Sequence, residues 1–290
     1  MDNKSYLITG TTKLYCIFGY PIEHSFSPIM HNANFQDLGL DYVYIAFDVH
    51  PDKLEQAVNA VRTLDIKGLN VTIPHKEKII QYLDEIDPIA NKMGAINTIK
   101  NDNGYLKATN TDAAGAKKSL IDAGCTIKGK KILFLGSGGA ARSIAYLLSE
   151  DAEEIILTDI VEEKALSVAN EIKKNMDANI EGKKANDRIL AEEIKQTDIL
   201  INATPIGMHP KEDVSPISKN LLHDGLFVFD VIYNPLETKL MKEAAEIGCK
   251  TLSGLDMLVN QGVIAFEWWT GKTPNSKLMK NKIIEFLGIK

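Results

Sequence analysis

The apolar run Lys131-Ile-Leu-Phe-Leu135 passes straight into Gly136-Ser137-Gly138-Gly139-Ala140-Ala141 and then into an alanine-rich segment. A strand-length run, a G-x-G-x-x-A turn and a helix-forming stretch in succession leave few folds open. The first glycine permits the tight turn, the second lets backbone N–H groups approach a pyrophosphate, and the helix N-terminus favours its charge. The pattern predicts a doubly wound parallel sheet of the Rossmann type, built to hold a dinucleotide. Asp159 ends the next apolar run, Ile155 to Thr158, where a carboxylate can accept hydrogen bonds from the adenosine ribose hydroxyls. It would repel a 2′-phosphate and no arginine follows it, so NAD is favoured over NADP. Arg142 and Lys164 are the cations that could still reach a phosphate, and a purely structural role for Asp159 is to cap the helix expected from Val161.

At 290 residues the chain is long enough for two domains, and its apolar fraction of 44% supports ordinary cores. A net charge of −6 with interspersed signs offers no basic field for nucleic acid and no Lys/Arg block for an anionic membrane. Three widely spaced cysteines suggest neither a disulfide framework nor a metal site and read as core residues. No apolar run is long enough to span a bilayer and the N-terminus has no leader pattern, so a cytoplasmic location is expected.

Apolar runs alternate with helix-period segments almost throughout. Strands are expected at 13–18, 42–49, 68–72, 132–135, 155–158, 199–202, 226–231 and 250–252. Helices are expected at 28–38, 51–64, 112–123, 140–148, 161–174 and over most of 255–287. The predicted organisation is an α/β substrate domain over 1–112, completed by C-terminal helices at 255–290, and a nucleotide domain over 113–254, with the active cleft between them.

Polar clusters mark the first domain. Ser25 and Ser27 stand two residues apart in a turn before Pro28, with Ser27 a natural N-cap; two hydroxyls and a helix dipole can hold a carboxylate without arginine. In Asn70-Val-Thr72-Ile-Pro-His-Lys76, strand alternation points Asn70 and Thr72 to one face, and Lys76 is expected in the first helical turn beyond. There an ammonium opposes the dipole, which argues for a task other than helix stability. Asn97, and Asn110-Thr111-Asp112 with Asp112 placed to cap the next helix, complete the set. His31 and His75 have no metal-ligand spacing and read as packed or surface residues.

These segments together resemble the shikimate dehydrogenase family, including its quinate/shikimate branch. The resemblance rests on Gly19-Tyr-Pro-Ile-Glu-His-Ser-Phe-Ser-Pro28, Asn70 to Lys76, Gly94-Ala-Ile-Asn-Thr98, Asn110-Thr-Asp112, Gly136 to Ala140, Asn202-Ala-Thr-Pro-Ile-Gly-Met208, Asp230-Val-Ile-Tyr-Asn-Pro235 and Gly254 to Gly262, in family order. It implies reversible NAD(P)-dependent reduction of 3-dehydroshikimate to shikimate, a step of aromatic amino-acid biosynthesis. It further implies that Ser25 and Ser27 bind the substrate carboxylate. Asn70, Thr72, Asn97, Thr111, Asp112 and Gln261 would hold ring hydroxyls, with Tyr233 nearby. Lys76 and Asp112 would be the catalytic pair. Gly136, Ser137, Gly138, Gly139, Ala140 and Asp159 would bind the cofactor, with Thr204 and Gly254 beside it. Two departures stand out: Ala108-Thr109 and Ala113 flank the Asn-Thr-Asp element where the family commonly has glycine, and the acidic, arginine-poor Asp159-Ile-Val is closer to the dual-cofactor quinate/shikimate branch. Quinate is therefore the alternative substrate, and a non-catalytic NAD-binding sensor the alternative from another class. A homodimer is compatible with all three.

Overall fold

The computed structural model describes residues 7–289, which divide into two compact units, one ending at Thr111 and resuming at Gln261, the other spanning Asp112–Asn260. The first contains β1 (Lys13–Gly19), α1 (Ser27–Asp37), β2 (Tyr42–Asp48), α2 (Leu54–Thr63), β3 (Gly68–Val71), β4 (Glu85–Ile86), α3 (Pro88–Met93), β5 (Thr98–Asp102), β6 (Tyr105–Thr109) and the first residue of α4 (Thr111–Asp122). Its strands form a mixed sheet in the order β2-β1-β3-β5-β6-β4, with β1 parallel to both β2 and β3, and β5 antiparallel to β3 and β6.

The second unit continues with β7 (Lys131–Leu135), α5 (Gly139–Leu148), β8 (Glu154–Asp159), α6 (Glu162–Asn175), β9 (Ile180–Lys184), α7 (Asp187–Glu193), β10 (Ile199–Asn202), β11 (Phe227–Asp230), α8 (Lys239–Ile247) and β12 (Lys250–Ser253). Helix α9 (Gly254–Thr270) leads back to the first unit, which ends with α10 (Ser276–Phe286). Here the sheet is wholly parallel, in the order β12-β11-β10-β7-β8-β9. Read from β9, this is the doubly wound order 3-2-1-4-5-6, with its reversal between β7 and β10.

Each strand of the first sheet sorts its side chains by pleat. On β1, Cys16 and Phe18 join Leu54, Val58 and Val61 of α2 and Leu69 and Val71 of β3 in one core. Tyr15 faces the other way, its ring centroid 5.3 Å from Phe35 and 5.4 Å from Trp269. A side chain at Gly68 would meet the Tyr15 and Trp269 rings within 2.8 Å, so glycine there lets both lie against β3. The Trp269 indole N–H donates to Ile99 O at 2.9 Å, fixing α9 to the sheet.

Inside this aromatic layer His31 has no solvent exposure, and neither ring nitrogen has a hydrogen-bond partner among the described residues. It stacks on Tyr44 at 4.6 Å and 19°, and burial pushes its pKa down from 6.5 to about 3. The unfolded chain therefore takes up the proton more readily than the folded one. Stability is unaffected by this group above its unfolded pKa, is lost as pH falls below it, and the loss levels off near the folded value. By pH 5 the loss from His31 alone is about 2 kcal/mol. His31→Leu, which forfeits no hydrogen bond, is expected to shrink the stability difference between pH 7.5 and pH 5 by that amount in urea titrations; an unchanged difference would mean that the imidazole charges without penalty.

The stretch between Lys76 and Asn110, which shows no apolar alternation, contains β4, α3 and the hairpin β5–β6 around Asn103 and Gly104, both at positive φ. Asn-Gly is the strongest short hairpin signal in a sequence, and it marks this turn. β9 and α7 are likewise elements that the apolar pattern does not announce. All three cysteines are free and buried, as expected. Among the described residues no helix is long and apolar enough to cross a membrane.

Candidate active site

In the first unit the chain leaves β1 and β3 at the same end of the sheet, and two turns are tied there. Thr72 N–H donates to Phe18 O at 2.9 Å and Tyr20 N–H to Ile73 O at 3.1 Å. Ser25 and Ser27 follow the first turn, and the Ser27 N–H approaches the Ser25 hydroxyl at 3.3 Å. Ser27 is not the N-cap: the capping position is Phe26, without a side-chain cap bond, and Ser27 already belongs to α1, freeing its hydroxyl from that duty.

Lys76 does not lie in a helical turn either. β3 ends at Val71, and the chain makes successive turns before the short 3-10 segment Lys78–Tyr82. Fully buried His75 holds this bend. Its Nε2 lies 2.7 Å from Val49 O, to which it donates, and its main chain bonds Thr72 O and Ile79 N. Burial lowers the His75 pKa against the pull of that carbonyl, so the ring stays a neutral donor. Lys76, half-buried beside it, accepts the Ile96 N–H at 2.9 Å through its own carbonyl, which sets it next to the start of β5.

Asn70 has Nδ2 at 3.1 Å from Asn97 O and 3.0 Å from Thr98 Oγ1. Asn97 accepts the Thr111 N–H at 2.7 Å and donates to the Thr111 hydroxyl at 3.0 Å. Thr111 Oγ1 also lies 3.4 Å from Gln261 Oε1. Asn70, Asn97, Thr98, Thr111 and Gln261 are all buried, so each bond is made in a low dielectric where an unpaired partner would cost about 1 to 3 kcal/mol. The structure thus joins Asn70, Asn97, Thr111 and Gln261 in one network, with half-buried Thr72 on the adjoining turn. Asp112 is the next residue after Thr111, in the first turn of α4 and so inside that helix rather than capping it.

In the second unit Asp112 bears on Tyr233, whose phenol pKa is raised first by burial and then by that carboxylate. Tyr233 follows Asp230, a fully buried carboxylate that accepts from Asn202 Nδ2 at 3.1 Å, Ile232 N–H at 3.1 Å and Thr238 Oγ1 at 2.7 Å. Asn202 in turn accepts from the Thr204 hydroxyl at 2.7 Å and its N–H at 3.1 Å. Asp230 and Asn202 are polar residues ending apolar strands, which is the sequence signal that marks them.

The glycine loop sits at the sheet reversal. Gly136 has φ +96°, and a Cβ there would press on Ala203 O and Thr204 Cγ2 at 3.0 Å. A Cβ on Gly138 or Gly139 would meet nothing within 4 Å, and Gly138 caps α5, with Ala140 in its first turn. Open backbone at a ten-residue helix's N-terminus fits a pyrophosphate. Asp159 Oδ2 accepts from Ser137 Oγ at 2.8 Å and its N–H at 3.2 Å, while Oδ1 accepts from Val161 N–H at 3.0 Å. Burial opposes ionisation of Asp159, but those bonds and nearby Lys164 outweigh it and hold the carboxyl below its usual range. Arg142 is ion-paired with Glu171. Gly254 is demanded by packing, since a Cβ would fall 2.1 Å from Val231 O.

Comparison with known proteins identifies the family. Residues 17–99 match the shikimate dehydrogenase substrate binding domain, and residues 254–284 the shikimate 5′-dehydrogenase C-terminal domain. A shikimate dehydrogenase (NADP(+)) of Methanocaldococcus jannaschii is 47% identical over 96% of this chain and 99% of its own length. A shikimate dehydrogenase solved in complex with NADP+ superposes with a TM-score of 0.91 at 44% identity, covering 97% of each chain. A shikimate 5-dehydrogenase of Listeria monocytogenes, solved with shikimate and NAD, gives 0.90 at 39% identity over 95% of this chain and 98% of that one. With nearly its whole length matched at such identity, the chain belongs to the shikimate dehydrogenase family.

Proposed function

We propose that this protein interconverts shikimate and 3-dehydroshikimate using a nicotinamide dinucleotide. The observation that carries the reading is the buried network of Asn70, Thr98, Asn97, Thr111 and Gln261, sharing one unit with the Ser25–Ser27 turn and Lys76. Short polar groups locked by one another suit a small polyhydroxylated ring, and two hydroxyls beside a helix start suit its carboxylate. The bound nicotinamide supplies the hydride acceptor for the alcohol carbon. The hydroxyl proton leaves separately, and Lys76 with Asp112 is assigned to take it, so one C–H and one O–H bond break as the carbonyl forms.

NAD is the proposed cofactor over NADP. Asp159 is held in its ionised form where a 2′-phosphate would lie, and Arg142 is already engaged by Glu171. Lys164 also bears on Asp159. Steady-state assays crossing shikimate and quinate with both cofactors test the whole reading. The expected result is turnover of shikimate with a higher kcat/KM for NAD. Asp159→Ser is expected to move the NAD/NADP ratio about tenfold toward NADP, by removing roughly one unit-charge repulsion worth about 1.4 kcal/mol. A wild-type preference for NADP overturns the cofactor assignment, and turnover of neither acid overturns the function.

A further inference from the structure

We propose that Tyr44 is a positioning residue that restricts Asn70 to one free acceptor site and thereby makes Asn70 select for a hydroxyl on the ligand. The inference rests on the functional reading above and extends it to a residue on β2, a strand not adjacent to Asn70. β1 lies between them, pairing Tyr15 with Tyr44 on one side and Ile17 with Asn70 on the other. The Tyr44 phenol crosses β1 and lies 2.7 Å from Asn70 Oδ1.

Hydrogen-bonding capacity decides the direction of each bond. Asn97 O is a backbone carbonyl, already accepting the Val71 N–H at 2.9 Å, and can only accept. The Asn70 atom facing it at 3.1 Å must therefore be the NH2 group, whose other hydrogen goes to Thr98 Oγ1 at 3.0 Å. Oδ1 then faces Tyr44, and Tyr44 must donate. With both amide hydrogens and one lone pair committed, Asn70 retains a single lone pair. It can accept a proton from a ligand hydroxyl, and it repels a carbonyl or ether oxygen. In a reaction that interconverts an alcohol and a ketone, the carbon facing Asn70 must therefore be one that stays an alcohol throughout, leaving the reacting carbon elsewhere on the ring.

Tyr44 is held for this task. It is 1% exposed and stacked on His31, and Asn32 clamps its backbone on both sides, donating to Tyr44 O and accepting from Tyr44 N–H at 2.8 Å each. His31 and Asn32 are consecutive on α1, the helix that begins at Ser27. One buried residue therefore links Asn70 to α1, the helix that follows the serine turn.

Tyr44→Phe removes one oxygen and leaves the ring stack. The test measures kcat and KM of wild type, Tyr44→Phe, Asn70→Ala and the double variant with shikimate and with analogues each lacking one ring hydroxyl. Tyr44→Phe is expected to raise KM for shikimate about tenfold with kcat within about twofold. One analogue, and no other, should lose its penalty in Tyr44→Phe, and the double variant should match Asn70→Ala on that analogue. A uniform rise in KM across all analogues, or additive effects in the double variant, would reduce Tyr44 to a packing role and overturn the proposal. Wild-type protein that turns over neither shikimate nor quinate brings down the functional reading and this inference with it; wild-type turnover without the analogue-specific coupling brings down this inference alone.

Discussion

Lys76→Ala is expected to lower kcat for shikimate oxidation by about a hundredfold or more, the range in which removal of a positioned acid–base group falls. A hundredfold is about 2.7 kcal/mol of transition-state stabilisation, more than a surface lysine contributes to anything. The backbone at this site does not depend on the side chain, because the Lys76 carbonyl and the His75 ring hold the bend. Lys76→Ala should therefore keep its melting temperature within a few degrees. It should also keep its cofactor affinity, measured by nicotinamide fluorescence, since the glycine loop belongs to the other unit. Small primary amines added to Lys76→Ala are expected to restore part of the rate. Near-normal turnover of the alanine variant would remove Lys76 from proton transfer.

The residues of that prediction were legible because short polar side chains and a lysine crowd the end of an apolar strand at Asn70 to Lys76. The Rossmann unit was legible for a related reason: β7, β8 and β10 each carry a buried apolar run of three or four residues, and Gly136 to Ala141 fits little else. Harder to see were strands whose polar residues face inward. Asn101 on β5 is 6% exposed because its amide donates to Val61 O and Ile66 O while its oxygen accepts from Gly104 N–H. A satisfied buried amide looks in sequence like a solvent-facing one, and it erases the alternation that would announce a strand. β9 hides differently. Its lysines and Glu181 are those of a charged edge strand, and Gly182 is needed because a Cβ would strike the Ala165 backbone of α6 at 2.3 Å. Tyr44 gave no signal at all, since an aromatic residue on a strand needs no reason beyond packing.

Asp230→Ala is expected to cost about 3 to 5 kcal/mol, the range for emptying one side of a buried charged network. Three donors lose their acceptor at once: Asn202 Nδ2, Ile232 N–H and the Thr238 hydroxyl. For a unit of this size that corresponds to a fall of roughly 10 °C in Tm. Asp230→Asn should cost far less, because an amide oxygen can serve Asn202 and Ile232 while its NH2 donates to Thr238 Oγ1. Burial raises the Asp230 pKa above the ordinary carboxylate value, so ionisation is easier in the unfolded chain, and this carboxyl stabilises less as pH rises through its unfolded value. The penalty for Asp230→Asn should accordingly be larger at pH 4 than at pH 7, a slope readable in denaturant titrations at the two values. The kinetic consequence follows from what Asp230 holds. Asn202 passes its orientation to the Thr204 hydroxyl, whose methyl group abuts the Gly136 turn, so loosening Asn202 loosens the wall of the cofactor loop. KM for the cofactor should rise several-fold in Asp230→Ala, assayed below its melting temperature. An unchanged cofactor KM alongside the stability loss would confine Asp230 to packing and break the link between the β11 carboxylate and the nucleotide loop.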